Sequence, residues 1–463
     1  MGHTLKAFLE PKSIALVGVS KTPNRPGSIM TENLKKFGFA GEIYPVNHEG
    51  GEILGFKMYK SIEELPEKVD LAISMVPADE TIEMLNSCAL KGIKNVVLVS
   101  GGFSESGQDG TKRQNELVKH AKDRGIRIMG PNAVGPVNTS NNLALHFYPL
   151  KFLKKGGIAW IAQSGQFNCC ILELMNLSFH VGTSKGIDVG NCCDIDESDV
   201  LEYLEEDHET RVIAIYMESI REGKRFLEVA KRVSKKKPII VFKTGRTEEG
   251  LRTAASHTGA MTVDDIIFDV ALKQAGVIRA GDLDEFLDLA KVFDYSYIPR
   301  GNRVGVVTYS GGVGAMVADA CGEFGLKLAE ISKDTVEKIR PVLPPSTKVS
   351  NPLDCFAAGA PPNITDIYQV AISAFLEDAN VDIVLPCFLV HSVMWDIDFE
   401  YIISELKQTR NKPLIAWMLG DEGLVTENKN NLEENGIPVF ASPERAVRAI
   451  GALWKYYSRI SER

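Results

Sequence analysis

Two stretches of this chain carry the same five blocks in the same order. The first opens with GGIAWIAQSGQFNCCILE (Gly156–Glu173) and the second with NRVGVVTYSGGVGAMVAD (Asn302–Asp319), each an apolar run, a Ser-Gly step and a helical pattern. VGNCCDID (Val189–Asp196) answers to VSNPLDCF (Val349–Phe356), and RVIAIYMESI (Arg211–Ile220) to VDIVLPCFLV (Val381–Val390). KKPIIVFKTG (Lys236–Gly245) pairs with NKPLIAWMLG (Asn411–Gly420), and GVIRAGDLDEFLDLA (Gly276–Ala290) with GIPVFASPERAVRAI (Gly436–Ile450). A repeat of apolar runs alternating with amphipathic stretches leaves few folds open. It predicts two copies of one flavodoxin-like α/β unit, a parallel sheet with helices on both faces.

The residues before the repeat alternate in the same way. Ser13–Val19, Glu42–Val46, Leu71–Val76, Asn95–Val99 and Arg127–Met129 read as buried strands, and Ile29–Phe37 as a helix, which together make a Rossmann-like domain. Tyr148–Gly156 reads as a linker and Ile298–Asn302 as a turn-rich break. Domains are therefore expected at 1–147, 148–299 and 300–463, in keeping with the roughly three domains that 463 residues suggest.

Charge and composition narrow the function. With 52 basic against 61 acidic residues the net charge is −9, which argues against a nucleic-acid partner. No apolar run approaches the roughly 18 residues of a membrane span, and the N-terminus lacks the apolar stretch of a signal peptide, so a cytoplasmic protein is expected. The 8 cysteines include the vicinal pairs Cys169-Cys170 and Cys192-Cys193 but no C-x-x-C, which favours reduced, buried thiols. The 8 histidines show no H-x-x-x-H spacing, and no metal site is expected.

Where the two copies differ, function has room to act. The stretch from Gly245 to Ala280 is 14 residues longer than its counterpart from Gly420 to Ala441, and the excess lies at RTEEGLRTAASHTGA (Arg246–Ala260). A loop the fold does without is where chemistry concentrates. It contains His257, flanked by small and hydroxylic residues. A lone loop histidine is commonly an ordinary surface residue; its place on an insertion favours nucleophilic catalysis instead. Glu218 ends the strand of the third block, where the sister strand has Leu389, so the fold does not dictate it either. A carboxylate there can bond one imidazole nitrogen and leave the other as nucleophile.

Ser164-Gly165 and Ser310-Gly311-Gly312 each join a strand to a helix. Serine caps the helix, glycine lets backbone N–H groups approach an anion, and the helix end carries about half a positive charge. One such step is commonly a mere cap; two at matching positions of duplicated units suit one phosphoryl group held from opposite sides. In the N-terminal domain GVSKTPNRPGS (Gly18–Ser28) joins the first strand to the first helix without being G-x-G-x-x-G, and the second strand ends Tyr44-Pro45-Val46-Asn47 with no acidic residue for a ribose. Lys21 and Arg25 add cations. The loop suits an anionic nucleotide other than NAD, and a plain turn with solvated charges fits it equally well. No G-x-x-x-x-G-K-[ST] loop occurs.

IALVGVS…NRPGS, SGGFSESG (Ser100–Gly107), MGPNAVG (Met129–Gly135), AQSGQF, SHTGA and TYSGGVGA, in this order along the whole chain, resemble the α subunits of ADP-forming acetyl-CoA synthetases. These belong to the nucleoside-diphosphate-forming acyl-CoA synthetase superfamily that includes succinyl-CoA synthetase. The resemblance implies a CoA-binding domain followed by two flavodoxin-like ligase domains. It implies a cytoplasmic enzyme converting acetyl-CoA, ADP and phosphate to acetate, CoA and ATP through acetyl phosphate and a phosphohistidine on His257, which Glu218 orients. Gln163, Ser164, Gly165, Ser310, Gly311 and Gly312 match the phosphate-binding positions. Gly18, Val19, Ser20, Lys21, Asn24, Arg25, Pro45, Val46, Asn47, Val76, Pro77, Ala78 and Asn132 match those for coenzyme A. ADP or ATP with Mg would lie on a separate ATP-grasp β subunit, in an α2β2 heterotetramer. Two alternatives remain: a succinyl-CoA synthetase-type ligase for another acid, although that family's α subunit stops after two domains, and a non-catalytic CoA-binding regulatory subunit.

Overall fold

The computed structural model describes residues 5–66, 68–178, 180–258, 265–356, 363–393, 397–409 and 411–461. They divide into two compact units, Met1–Gly281 and Asp282–Arg463.

The first unit contains strands β1 (Ser13–Val17), β2 (Glu42–Val46), β3 (Gly51–Ile53), β4 (Phe56–Met58), β5 (Leu71–Ser74), β6 (Asn95–Leu98), β7 (Arg127–Met129), β8 (Val137–Asn138), β9 (Leu143–Ala144), β10 (Lys155–Ala162), β11 (Thr183–Asp188), β12 (Val212–Met217), β13 (Ile239–Lys243) and β14 (Ile278–Ala280). They form a parallel sheet in the order β2-β1-β5-β6-β7, a second sheet in the order β14-β13-β12-β10-β11-β8-β9, and a small β3-β4 hairpin. β1, β5, β6 and the inner part of β10 are buried on both faces, as strands covered by helices must be, which is why they read as apolar runs, whereas β11, equally buried, has the sequence TSKGID and leaves no such run. One apolar core runs from Leu16 and Ile73 through Ile161 and Ile213 to Leu272.

The expected linker is pinned rather than loose. Asn33, on the helix Pro26–Phe37, donates through Nδ2 to the carbonyls of His146 (2.8 Å) and Tyr148 (2.9 Å). The β8-β9 hairpin pairs antiparallel with β11, a feature too short to leave a period in the sequence. Backbone bonds also join the end of the first sheet to the loop after β11, from Asn191 N–H to Pro131 O (2.9 Å), Cys193 N–H to Gly130 O (3.1 Å) and Ile195 N–H to Ile128 O (3.1 Å).

The second unit contains β15 (Arg303–Thr308), β16 (Lys327–Leu328), β17 (Leu353–Asp354), β18 (Ile383–Val390), β19 (Ala416–Gly420) and β20 (Val439–Phe440), in the order β16-β15-β18-β19-β20 with β17 also on β15. The helix Leu283–Tyr295 packs in this unit, against the helix Pro443–Ser461. Numbered within each domain, the parallel strands of all three sheets follow the flavodoxin order 2-1-3-4-5. Register refines the repeat. Ala162 pairs with Asp188 and Thr308 with Asp354, so Asp354 corresponds to Asp188 at a strand end, not to an aspartate of the Val189–Asp196 block. Where β11 is continuous, the second copy splits the same edge into β16 and β17 and inserts the helix Lys333–Ile339 between them. Among the described residues no helix is long and apolar enough to cross a membrane.

Candidate active site

Open parallel sheets bind ligands beyond the carboxyl ends of their strands, where the strand order reverses. In the first sheet that point lies between β1 and β5. Gly18 donates its N–H to Val46 O (3.0 Å); its φ of +85° strains any side chain, and a Cβ there would stand in a tight 3.2 Å contact with the Met75 carbonyl carbon, so the turn past β5 favours glycine. Asn47 donates through Nδ2 to Val19 O (2.7 Å) and accepts the Glu49 N–H (2.9 Å), tying the second strand end to the loop. Gly18, Val46, Asn47, Val76 and Pro77 line one cleft of about 450 Å³, to which His48, Lys60 and Glu80 also contribute. Pro45 lies within β2, while Ser20, Lys21, Asn24 and Arg25 follow the buried Val19 in the loop above, the last three exposed. Ala78 opens the next 3-10 turn. Asn132 sits apart, on the loop after β7, with its N–H on Ser100 O (3.1 Å).

In the second sheet the order reverses between β10 and β12. Ser164 precedes the helix Gly165–Ser178, its Oγ 3.5 Å from the Phe167 N–H. A Cβ at Gly165 would fall 2.2 Å from Val134 Cγ2 and 2.9 Å from Asp188 Oδ2, so only glycine lets this helix begin here. Glu218 follows β12 directly. Its Oε1 accepts the Tyr216 hydroxyl (3.0 Å), and the Tyr216 ring stacks on Phe167 with centroids 3.9 Å apart. The Gln163 amide oxygen accepts the N–H groups of Glu218 (2.7 Å) and Ser219 (3.0 Å). Asp188, wholly buried, accepts from Val134 N–H (2.7 Å) and Gly190 N–H (3.1 Å); burial, with the charge of Glu218 adding, pushes its carboxyl up to about 7. Gln163, Ser164, Gly165 and Glu218 thus meet at one sheet edge.

The second unit repeats part of this arrangement. Ser310 caps the helix Gly311–Phe324, its Oγ accepting the Gly312 N–H (3.2 Å), and Asp354 Oδ2 lies 3.4 Å from a Cβ position on Gly311. The blocks put Tyr309 opposite Gln163, and strand register, one residue out of step with the blocks here, puts Leu389 opposite Glu218. The second unit has the cap and the aspartate but lacks the glutamate.

His257 belongs to the helix Glu248–Thr258, and its side chain lies outside the described residues, as do residues 259–264. Two helices, Glu248–Thr258 and Asp265–Ala275, lie between β13 and β14, against the single helix Glu422–Glu434 between β19 and β20. The helix carrying His257 is therefore the inserted one. It packs against the 3-10 turn Ser104–Ser106 of the SGGFSESG stretch. That turn is built around Glu105, which accepts from Gly102 N–H (2.5 Å), Phe103 N–H (3.0 Å) and Asn191 Nδ2 (2.5 Å). Burial works to raise the Glu105 carboxyl, but these donors outweigh it and hold the group below its ordinary value.

Asp188, Tyr216 and the buried Glu197 are site neighbours that the sequence did not single out. The strand-end position of Asp188, repeated by Asp354, is the one signal that could have found it.

Family models match along nearly the whole chain: a CoA binding domain at residues 12–139, a succinyl-CoA ligase like flavodoxin domain at 155–293 and a Ligase-CoA domain at 304–462. The chain is 41% identical over 454 residues to the acetate–CoA ligase [ADP-forming] II subunit alpha of Pyrococcus furiosus, covering 97% of each. It is 41% identical over 456 residues to the acetate–CoA ligase [ADP-forming] II of Archaeoglobus fulgidus, with 98% of this chain spanning 67% of that longer protein. A solved structure, the dinucleotide-forming acetyl-coenzyme A synthetase 1 of Ca. Korarchaeum cryptofilum in complex with phosphate and ADP, superposes with a TM-score of 0.91 at 33% identity, over 99% of this chain and 97% of that one.

Proposed function

The chain belongs to the ADP-forming acetate–CoA ligase family, and from that premise we propose that it is the α subunit of an enzyme catalysing acetyl-CoA + ADP + phosphate ⇌ acetate + CoA + ATP. A phosphate oxygen attacks the thioester carbonyl carbon, the C–S bond breaks, and CoA leaves as the thiolate, which takes up a proton. A His257 ring nitrogen then attacks phosphorus and the bond to the acyl oxygen breaks, releasing acetate. ADP finally takes the phosphoryl group from the histidine, which regenerates the imidazole.

The observation that carries this reading is the placing of Glu218 beside the helix start Ser164-Gly165, at the reversal point of the sheet whose inserted helix bears His257. In the proposed scheme Glu218 orients the imidazole, and the helix N-termini at Ser164-Gly165 and at Ser310-Gly311-Gly312 hold the phosphoryl oxygens with N–H donors and dipole. Gln163 serves through its place in that loop. The cleft at Gly18, Val46, Asn47, Val76 and Pro77 takes coenzyme A, with Val19, Ser20, Lys21, Asn24 and Arg25 above it and Pro45, Ala78 and Asn132 beside it. Three domains at 1–147, 148–299 and 300–463 divide these tasks. Nucleotide and Mg sit on an ATP-grasp β subunit in an α2β2 assembly, and a helix that travels between distant sites is what a phosphohistidine intermediate needs, since it splits one long transfer into two short ones.

The test is to incubate the chain with its ATP-grasp partner, acetyl-CoA, ADP and labelled phosphate. Label should appear on the wild-type chain and in ATP, and His257→Ala should bind CoA yet take up none. Label on the His257→Ala chain would remove His257 from the scheme. Intact CoA binding with no ATP formed by the wild type would leave a regulatory subunit.

A further inference from the structure

Glu218 owes its position to a buried pair, Gln163 and Glu197, and the scheme above gives Glu197 no task. The Gln163 side chain is 8% exposed, and every hydrogen-bonding capacity of its amide is engaged. Its oxygen accepts the N–H groups of Glu218 and Ser219; its NH2 donates to Ser219 O (2.9 Å) and to Glu197 Oε1. The amide thus grips residues 218–219 by both N–H groups and by a carbonyl, much as a neighbouring strand would. Glu197, 3% exposed, opens the helix Glu197–Glu206 and also accepts the Cys192 thiol at 3.4 Å.

Burying a carboxyl without a cation is unfavourable. Burial raises the Glu197 carboxyl, with the charge of Asp196 adding, while a bond from its own backbone N–H and then the Gln163 and Cys192 donors offset part of the effect. The duplicated unit shows that the fold does not need the arrangement, because it has Tyr309 for Gln163 and Leu389 for Glu218. The amide and the glutamate it grips are replaced together.

We propose that Glu197, acting through Gln163, is a positioning residue for Glu218. As an acceptor, Glu197 fixes which end of the Gln163 amide is NH2, and that orientation alone presents the oxygen to the two N–H groups of residues 218–219. The Glu218 carboxylate is then held between its clamped backbone and the Tyr216 hydroxyl. This inference rests on the proposed role of Glu218 in orienting His257.

The experiment is a double-mutant cycle on the chain assembled with its ATP-grasp partner, following label transfer from phosphate to the chain and the kcat and KM for acetyl-CoA. Misplacing a catalytic group by ~1 Å costs on the order of 100-fold, so Glu197→Met should lower kcat by at least about tenfold and leave KM within about twofold. Glu197→Gln, which keeps an acceptor oxygen for the amide, should recover most of that loss. In a Glu218→Gln background Glu197→Met should have no further effect. An equal loss in both backgrounds, or no loss in either, overturns the positioning role while phosphorylation of the wild type still stands. Absence of label on the wild type refutes the functional reading itself, and the positioning role with it.

Discussion

Asp188→Asn tests the physics of the site independently of any partner. Asp188 ends β11 wholly buried, with two backbone N–H groups on its carboxyl and the Glu218 carboxylate near enough to raise it further. Its carboxyl ionises near 3.8 in the unfolded chain and near 7 in the folded one. Between those values the native state binds more protons than the unfolded state. The stability this group contributes is therefore complete below pH 4 and is lost as pH rises through 7. At about 1.36 kcal/mol per pH unit the whole window is worth roughly 4 kcal/mol, of which roughly 2.5 kcal/mol falls between pH 5 and pH 8. Asparagine cannot ionise, so the free energy of urea unfolding of Asp188→Asn, measured against wild type on the full chain, should shift in the variant's favour by that amount between the two pH values. Other titrating groups cancel in the difference. A difference that stays flat to within about 0.5 kcal/mol would mean that Asp188 remains an ordinary, hydrated carboxylate, and the argument from burial would fail.

Lys291 and Glu433 form a buried ion pair (2.9 Å) in the second unit, so Lys291→Met should cost about 3–5 kcal/mol in urea unfolding, and adding Glu433→Leu should recover much of it. His146 is buried, and burial lowers its pKa to about 4; the stability it contributes is complete above pH 6.5 and lost as pH falls through 4. His146→Gln should flatten the acid limb of the pH–stability curve by roughly 3 kcal/mol, and an unchanged limb would show that the imidazole is hydrated. At Gly110 a Cβ would meet the Phe103 carbonyl oxygen at 1.8 Å, so Gly110→Ala should displace the turn Ser104–Ser106 and lower the unfolding midpoint, with hydrogen exchange at Ser104–Ser106 rising; unchanged exchange there would refute the coupling.

What could be read from the residues was whatever repeats or runs. Apolar blocks marked most of the parallel strands, and laying the two copies side by side isolated Glu218 and the insertion, because a difference between copies on one fold is not required by folding; the insertion read as a loop, and it is the helix Glu248–Thr258. Pairings between distant polar groups were not legible. Gln163 meets Glu197 and Glu218 across 34 and 55 residues, and nothing local in AQSGQF distinguishes an amide that faces phosphate from one that grips a neighbouring loop. Asp188 sat within TSKGIDVGN, where strand and loop merge, and only the register Ala162–Asp188 fixes it as the strand end. The β8-β9 hairpin and the split edge of the second copy consist of two-residue strands, shorter than any periodic signal.

That hairpin bears on how the chain can be cut. β8 and β9 precede the expected boundary at residue 147 yet complete the sheet that begins at β10. A fragment starting after residue 147 leaves its cap behind, baring the flank of β11 as an open row of amide and carbonyl groups that invites another molecule to add on. The truncated piece should clump at concentrations where the intact polypeptide stays dispersed, and anyone dissecting this molecule for crystallisation or domain exchange would do better to carry residues 137–144 along with the second sheet.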